Sequence, residues 1–234
     1  MERVKSGIEG FDNLLGGGFL NHSVNLLSGC SGSGKTIFAV YYIYNGAKKF
    51  GEKGLYITLE EMTEHIVRDV GEIGLNLEDV DDELFHMYDL SALRANVLST
   101  KDELSSPESP MRLDNLLEFI ELNFQDAKRI AIDSLVPLNM VYEDMKTLRG
   151  ELFRFTIGLK RLGITTVLTT EIPYSSHDLS RFGMEDFLSD SVTVFRMREE
   201  WGRQVKVHKM RGSNHFKDYV DYTISNQGLQ VMYK

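Results

Sequence analysis

The sequence feature that most constrains the fold of this chain is a glycine-rich octapeptide in its N-terminal quarter. It reads Gly29-Cys30-Ser31-Gly32-Ser33-Gly34-Lys35-Thr36, with four residues between the first glycine and the Gly-Lys-Thr end. The apolar run Ser23–Ser28 predicts a strand before it, and helical spacing over Ile37–Phe50 predicts a helix after it. This spacing, between a strand and a helix, is that of the Walker A phosphate loop.

The octapeptide predicts nucleotide binding through its backbone. Glycines permit conformations that point several N–H donors at phosphate oxygens, and the positive end of the next helix adds to the attraction. Lys35 is expected to reach the terminal phosphates of ATP, and the Thr36 hydroxyl is expected to ligate Mg²⁺. A glycine-rich turn that binds nothing is the alternative, which the strand and helix on either side disfavour.

Short apolar runs alternate with helix-like stretches through the middle of the chain. The predicted elements are strand Gly54–Leu59, helix Thr63–Ile73, strand Leu84–Tyr88, helix Leu113–Phe124, strand Arg129–Asp133, a long helix ending near Gly163, and strand Thr165–Thr169. This alternation is typical of an α/β fold with a mostly parallel twisted central sheet and helices on both faces.

The hydrophobic pattern of the sequence changes from Asp190 onward. Segments of period two predict C-terminal antiparallel strands at the sheet edge: Val192–Met197, Gln204–Lys209, Tyr219–Ile224 and Leu229–Met232. Leu98–Met111 contains Pro107, Pro110 and four serines, and we expect a loop or mobile lid there.

Length, charge and cysteine usage limit the classes of partner. The 234 residues are expected to form one domain, 1–234, and a net charge of −9 disfavours nucleic acid as a partner. One cysteine, Cys30, indicates a reducing compartment. The N-terminus lacks the apolar stretch of a signal peptide, and apolar residues never run for 18 positions. We therefore expect a cytoplasmic protein without a membrane span.

Hydrolysis of ATP also requires carboxylates, which hold a metal ion and aim a water molecule. Asp133 ends an apolar strand and is predicted to be the Walker B residue that binds Mg²⁺ with Thr36. Glu60 and Glu61 end another strand, and the carboxyl ends of parallel strands meet at the ligand crevice. One of this pair is expected to orient the water, and the choice between them stays open. The alternative for Asp133 is an ordinary acidic residue at a strand end. The alternative for Glu60 and Glu61 is that they are acids of the first turn of the next helix, where the helix dipole favours negative charge.

In combination the motifs resemble the KaiC-like branch of the RecA-type P-loop ATPases. The resemblance rests on the lead-in Ser6–Phe19, on the paired glutamates, and on four further matches: Thr169-Thr170-Glu171, Arg181-Phe182-Gly183, Asp190 and Lys209-Met210-Arg211-Gly212-Ser213-Asn214-His215. It spans nearly the whole chain and is weakest between about Asn76 and Met111.

The resemblance implies a homohexameric ring with ATP bound between neighbouring subunits. In such a ring Lys209 and Arg211 would act catalytically on the γ-phosphate held by the adjacent subunit. Residues i and i+2 of a strand share a face, and an arginine supplied in trans can stabilise transition-state charge. The resemblance also implies that Ser213 and His215 lie near the neighbour's base or ribose. A solvated basic edge strand is the alternative.

The sequence departs from the family in two respects. The family's clock protein has two such domains in tandem, so we expect a stand-alone relative here. Its autophosphorylated serine-threonine pair precedes the aspartate that corresponds to Asp190, where this chain has Glu185-Asp186-Phe187-Leu188-Ser189. Autokinase activity is therefore not inferred.

Three functions compete at this point. The first is an oligomeric ATPase that couples turnover to ring shape or to an unknown protein client. The second is a recombinase-like ATPase acting on DNA, which Glu171–Asp190 disfavours because it holds five acidic residues and one basic residue. The third is a nucleotide-sensing scaffold with little turnover.

Overall fold

Strands and helices alternate along the computed structural model, which describes residues 2–91, 101–174, 176–198 and 202–233. The strands are β1 (Arg3–Val4), β2 (Phe19–Leu20), β3 (Val24–Gly29), β4 (Gly54–Thr58), β5 (Phe85–Asp89), β6 (Arg129–Asp133), β7 (Thr165–Glu171), β8 (Ser191–Arg198), β9 (Gly202–Met210), β10 (Val220–Ser225) and β11 (Gly228–Val231). The helices are α1 (Phe11–Leu14), α2 (Lys35–Phe50), α3 (Thr63–Glu72), α4 (Lys101–Leu104), α5 (Leu113–Asn123), α6 (Leu138–Val141), α7 (Met145–Arg161) and α8 (Glu185–Leu188), with a 3₁₀ turn at Leu77–Asp79.

Nine of these strands form one sheet, in the order β11-β10-β9-β8-β3-β7-β6-β4-β5. The six strands from β8 to β5 run parallel to one another, while β9, β10 and β11 are antiparallel. β3 therefore lies between two parallel neighbours, and the loop that follows it opens at the middle of the carboxyl edge. This is the α/β architecture expected of a RecA-like protein.

Alternation along the central strands divides the apolar core between the two faces of the sheet. On β6, Ile130 and Ile132 pack toward α5 and α7, whereas Ala131 packs toward α2. Leu26 and Leu27 of β3 divide in the same way. Both faces of the parallel strands are thus buried, which explains why these strands read as continuous apolar runs.

The predicted elements agree with the structure through β7, with boundaries that differ by one or two residues. The prediction that every strand after Asp190 is antiparallel was wrong for β8, which pairs in parallel with β3 and antiparallel with β9. Period-two patterning carries no information about strand direction. In the chain, the long connection from β7 to β8 returns the backbone to the amino edge of the sheet before β8 begins.

The predicted loop Leu98–Met111 is described in part. Residues 98–100 lie outside the described residues, and the described part begins with the short helix α4, which the loop prediction missed. No helix in the described ranges is long and apolar enough to cross a membrane. The cytoplasmic location stays a prediction.

Candidate nucleotide-binding site

The carboxyl ends of four parallel strands meet at one place on the sheet edge. The strand register pairs Gly29 of β3 with Glu171 of β7, and Thr58 of β4 with Asp133 of β6. Because these strand ends are level, the phosphate loop, Asp133 and the Glu60-Glu61 pair approach one another. These groups therefore line one cavity, while their roles at a nucleotide stay predictions.

The phosphate loop has the geometry that its glycines permit. Gly34, just before α2, has a φ of +82°, and a Cβ atom there would lie 2.5 Å from Ile224 Cδ1. At Gly29 a Cβ atom would lie 2.6 Å from the carbonyl oxygen of Phe195. A side chain at Gly29 would therefore collide with the backbone of β8. At Gly34 a side chain would be strained by the positive φ and would also displace the Ile224 side chain.

Contacts within the chain hold the loop in shape. Ser33 Oγ donates to the carbonyl oxygen of Cys30 at 2.7 Å, and Lys35 Nζ donates to the same oxygen at 2.8 Å. The hydroxyl of Tyr222 on β10 donates to the Ser33 carbonyl. The loop is thus tied to its own first turn and to the antiparallel strands.

Lys35 is a buried cation at the start of α2. Burial lowers its pKa, and the nearby carboxylates of Glu171, Asp133 and Glu60 act in the opposite direction. Among the described residues no carboxylate forms an ion pair with it, and a buried ammonium group of this kind favours binding of an anion. The phosphate groups of a nucleotide would supply that negative charge.

Asp133 is held rigidly at the end of β6. Its side chain accepts hydrogen bonds from the Tyr56 hydroxyl at 2.6 Å and from the Thr169 hydroxyl. Burial, followed by the charge of Asp133, raises the pKa of Tyr56, so this phenol remains a donor. A carboxylate has about four acceptor positions, and these two bonds leave the others available at the cavity wall.

The Glu60-Glu61 turn is ordered by Thr58. The Thr58 hydroxyl accepts from the backbone N–H groups of Glu60 and Glu61 and donates to the Glu61 carbonyl at 2.6 Å. The Glu60 carboxylate accepts from the hydroxyl of Ser134, the residue after Asp133. Burial, together with Asp69 and Asp133, raises the pKa of Glu61. The two glutamates therefore differ in environment.

These groups surround a cavity of about 780 Å³, a volume in the range of small-ligand sites. Its wall includes Lys35, Thr36, Glu60, Glu61 and Asp133, as predicted. Apolar side chains from α2, α3 and β10 complete it: Ile37, Met62, Ile66, Val70 and Ile224. The wall thus combines charged and polar groups with apolar side chains, a mixture that suits a nucleotide.

Thr36 and Asp133 fit the requirements of a magnesium site that also uses phosphate oxygens. Both line the cavity, and both offer oxygen atoms, the ligands that Mg²⁺ prefers. Among the described residues no cluster of three or more His, Cys, Asp or Glu side chains could hold a metal without help.

Lys209 and Arg211 lie outside the wall of this cavity. Lys209 Nζ donates to the carbonyl oxygens of Asp186 at 2.6 Å and Ser189 at 2.7 Å, and Arg211 donates to the carbonyl of Phe187 at 2.7 Å. Lys209 belongs to β9 and Arg211 follows it, and both side chains reach the same short helix, α8. The prediction that they share one side agrees with these contacts.

Ser213 and His215 also lie away from the cavity wall. The Ser213 hydroxyl accepts from Arg3 of the N-terminal segment. His215 is half-buried, and its Nδ1 atom has no hydrogen-bond partner among the described residues. Their role at a neighbouring nucleotide stays a prediction.

Sequence reasoning missed several residues of the site. Ser134, Arg203 and Ile224 line the cavity, while Tyr56 and Thr169 hold Asp133 and Tyr222 holds the loop. Ser134 could have been found as the neighbour of a predicted metal ligand. Thr169 belongs to the Thr169-Thr170-Glu171 match, although its bond to Asp133 was not predicted. The others come from strands distant in the chain, and no local pattern marks them.

Comparison with known proteins gives consistent matches. A family model described as "ATPase: KaiC" matches residues 4–234. The chain is 33% identical over 238 residues to a circadian clock oscillator protein KaiC of Prochlorococcus marinus (strain MIT 9313), covering 99% of this chain and 46% of that protein. It is 34% identical over 234 residues to the protein of that name from Parathermosynechococcus lividus, covering 98% and 42%. The chain spans about half the length of the curated relatives it matches.

Proposed function

This chain belongs to the KaiC family of ATPases, and we propose that it hydrolyses Mg²⁺-ATP at the subunit interfaces of a homohexameric ring. Turnover would change the conformation of the ring or its binding of a protein client. The observation that carries the proposal is the convergence of the phosphate loop, Asp133 and Glu60 on one cavity.

The predicted residues of the cavity have separate roles in this reaction. Backbone N–H groups of residues 29–36 and the ammonium group of Lys35 bind the phosphates. Thr36 and Asp133 would hold Mg²⁺, which when bound neutralises charge on the phosphoryl oxygens. Glu60 or Glu61 orients the attacking water, and Ser134 fixes Glu60 beside the metal ligand.

The proposal assigns the remaining charge stabilisation to the neighbouring subunit. The cavity wall contains one lysine and one arginine, Lys35 and Arg203, and it excludes Lys209 and Arg211. Half-buried Lys209 and exposed Arg211 both contact α8. An arginine supplied in trans is an established way to raise the rate of phosphoryl transfer.

Replacing both glutamates tests whether the chain is an enzyme or a nucleotide-sensing scaffold. The double variant Glu60→Gln/Glu61→Gln is expected to bind ATP with little change and to lose turnover by about 100-fold or more, because water orientation is lost. Phosphate release and ATP affinity would be measured on the same sample. Glu118→Gln, an exposed change on α5, is the matched control. Unchanged turnover in the double variant would support the scaffold.

Mixed rings test the trans arrangement. Lys35→Ala removes the ammonium group proposed to bind the phosphates, and Arg211→Ala removes the proposed donor, so each variant alone should be inactive. In a mixture, junctions at which a Lys35→Ala chain donates to an Arg211→Ala chain regain both parts, and activity should partly return. Absence of recovery, with mixed rings demonstrated by differently tagged chains, would contradict the proposal.

A further inference from the structure

The short helix α8 holds both cations that the proposed function assigns to the neighbouring site. Lys209 donates to the carbonyl of Asp186 in α8 and to that of Ser189, the residue after the helix. Arg211 donates to the carbonyl of Phe187 in α8. The Arg211 backbone N–H also donates to the Asp190 carbonyl at 2.8 Å. The position of these two side chains therefore depends on the position of α8.

Glu185, the first residue of α8, is a buried carboxylate in a ring of donors. It is 2% exposed, and in the described part of the chain no cation pairs with it. It accepts from the Thr170 hydroxyl at 3.1 Å and from backbone N–H groups at 3.1 to 3.2 Å, those of Arg181, Phe182 and Met184. A buried charge without a counter-ion requires such donors, and together they fix its orientation.

This anchor links α8 to the end of β7. Thr170, which donates to Glu185, follows Thr169, which donates to Asp133. The next residue, Glu171, lines the cavity. Three consecutive residues of β7 thus contact the metal ligand, the anchor of α8 and the nucleotide cavity.

We propose that Glu185 is a positioning residue that sets Lys209 and Arg211, through α8, for catalysis in the neighbouring subunit's site. The proposal rests on the proposed trans function. It differs from a purely structural role, in which Glu185 would stabilise the 180–190 segment and affect its own chain's site or fold. We call Lys209 and Arg211 the donor half of a subunit, and its own nucleotide cavity the acceptor half. Loss of Glu185 should then damage the donor half and leave the acceptor half intact.

The variant Glu185→Gln keeps the size of the side chain and removes its charge. Its amide nitrogen would face backbone N–H donors, so α8 should shift. In uniform rings, displacement of a catalytic group by about 1 Å can lower kcat by about 100-fold. We expect a loss of about 10- to 100-fold in kcat with ATP affinity within about twofold of wild type. Thermal unfolding checks that the variant folds, and Glu118→Gln is again the matched control.

Complementation distinguishes positioning from structure. Mixed with Lys35→Ala, whose donor half is intact, Glu185→Gln should recover activity, as Arg211→Ala does. Mixed with Arg211→Ala, it should show no recovery, because both chains lack a working donor. If Glu185→Gln does not fold, Thr170→Val supplies the same test, since it removes one hydrogen bond to the carboxylate with little change in shape.

The two proposals fail in different ways. If Arg211→Ala recovers with Lys35→Ala while neither Glu185→Gln nor Thr170→Val does, the positioning role is wrong and the trans mechanism stands. If no mixture recovers although mixed rings form, the trans mechanism is wrong and the positioning role falls with it. Recovery of Glu185→Gln with Arg211→Ala would also overturn the inference, since it would place the defect outside the donor half.

Discussion

Glu60 and Glu61 are adjacent in sequence but differ in what surrounds their carboxyl groups. The Glu60 carboxylate accepts from Ser134. Burial raises the pKa of Glu61, as do Asp69 and Asp133, while His65 and Arg68 oppose the shift. A glutamate with a raised pKa becomes protonated, and stops acting as a base, at a higher pH than an ordinary glutamate. The pH profile of turnover can therefore report which glutamate acts.

Asp69→Asn separates the two glutamates. It removes a negative charge near Glu61 and frees Arg68 from its ion pair with Asp69, so the pKa of Glu61 should fall. If Glu61 is the base, the acid limb of kcat moves to lower pH, since the deprotonated form persists further. Glu64→Gln on the exposed side of the same helix is the control. An acid limb that does not move would assign the base to Glu60.

Lys35 should contribute to binding without contributing to stability. Its ammonium group is buried, and burial lowers its pKa. Lys35→Met keeps the apolar stem, so it should weaken ATP binding by about 100-fold or more while leaving the free energy of unfolding unchanged or raising it by about 1 kcal/mol. Urea denaturation without nucleotide and ATP titration measure the two effects. A loss of stability greater than about 1 kcal/mol would contradict this.

Among the elements, β10 has a second role beyond extending the sheet. Tyr222 of this strand donates to the Ser33 carbonyl, and Ile224 lies against the position of Gly34. Tyr222→Phe removes only the hydroxyl, so we expect about 1 kcal/mol less stability and ATP affinity a few-fold weaker, because the loop loses a brace. Thermal unfolding and ATP titration test this, with Tyr88→Phe as the control. Unchanged affinity would show that the loop holds its shape without β10.

The start of β6 is tied to α2 and to the N-terminal segment by a buried arginine. Arg129 is fully buried and donates to the carbonyls of Lys5 at 3.0 Å and Tyr42 at 2.9 Å, and it forms an ion pair with Glu52. Gly46 makes room for it, since a Cβ atom there would lie 2.3 Å from Arg129 Cδ. A buried guanidinium that loses its carboxylate partner is left uncompensated.

Glu52→Gln should therefore destabilise the folded protein, because Arg129 loses its carboxylate partner. The Glu52 side chain is 28% exposed, so we expect the free energy of unfolding to fall by about 1–3 kcal/mol, less than for a fully buried pair. Urea denaturation at neutral pH measures the change. Glu121→Gln, at the exposed end of α5, should have almost no effect. An equal effect of both variants would assign the loss to net charge and not to the ion pair.

The sequence predicted the elements of the parallel sheet well because burial on both faces makes them continuous apolar runs. It also predicted Asp133 and the glutamate pair, since strand ends carry that information locally. It could not predict that β8 is parallel, that Tyr56 and Tyr222 serve the site, or that Thr169, marked by a family match, binds Asp133. Those facts depend on which strands become neighbours, and that is decided by packing across the whole sheet.

At the scale of the whole molecule, assembly should depend on the ligand. ATP bound between chains would stabilise their contact, because a ligand that binds the assembled state favours it. We expect the mass of the wild-type particle to increase to that of six chains with ATP and Mg²⁺. Glu60→Gln/Glu61→Gln should assemble likewise, and Lys35→Ala should assemble less. Light scattering on gel-filtration fractions measures this, and a mass independent of nucleotide in all three would contradict it.

The separation of Lys209 and Arg211 from their own chain's cavity has a consequence for how the protein would behave in small numbers. A solitary copy could take up ATP but should hydrolyse it very slowly, because the Lys209 and Arg211 that act on its γ-phosphate would have to come from a neighbour. Turnover per chain should then be negligible in very dilute solution and rise to a plateau as copies meet. The rate of ATP hydrolysis per chain would then depend on the concentration of the protein, and a cell that makes very few copies would spend almost no ATP on them.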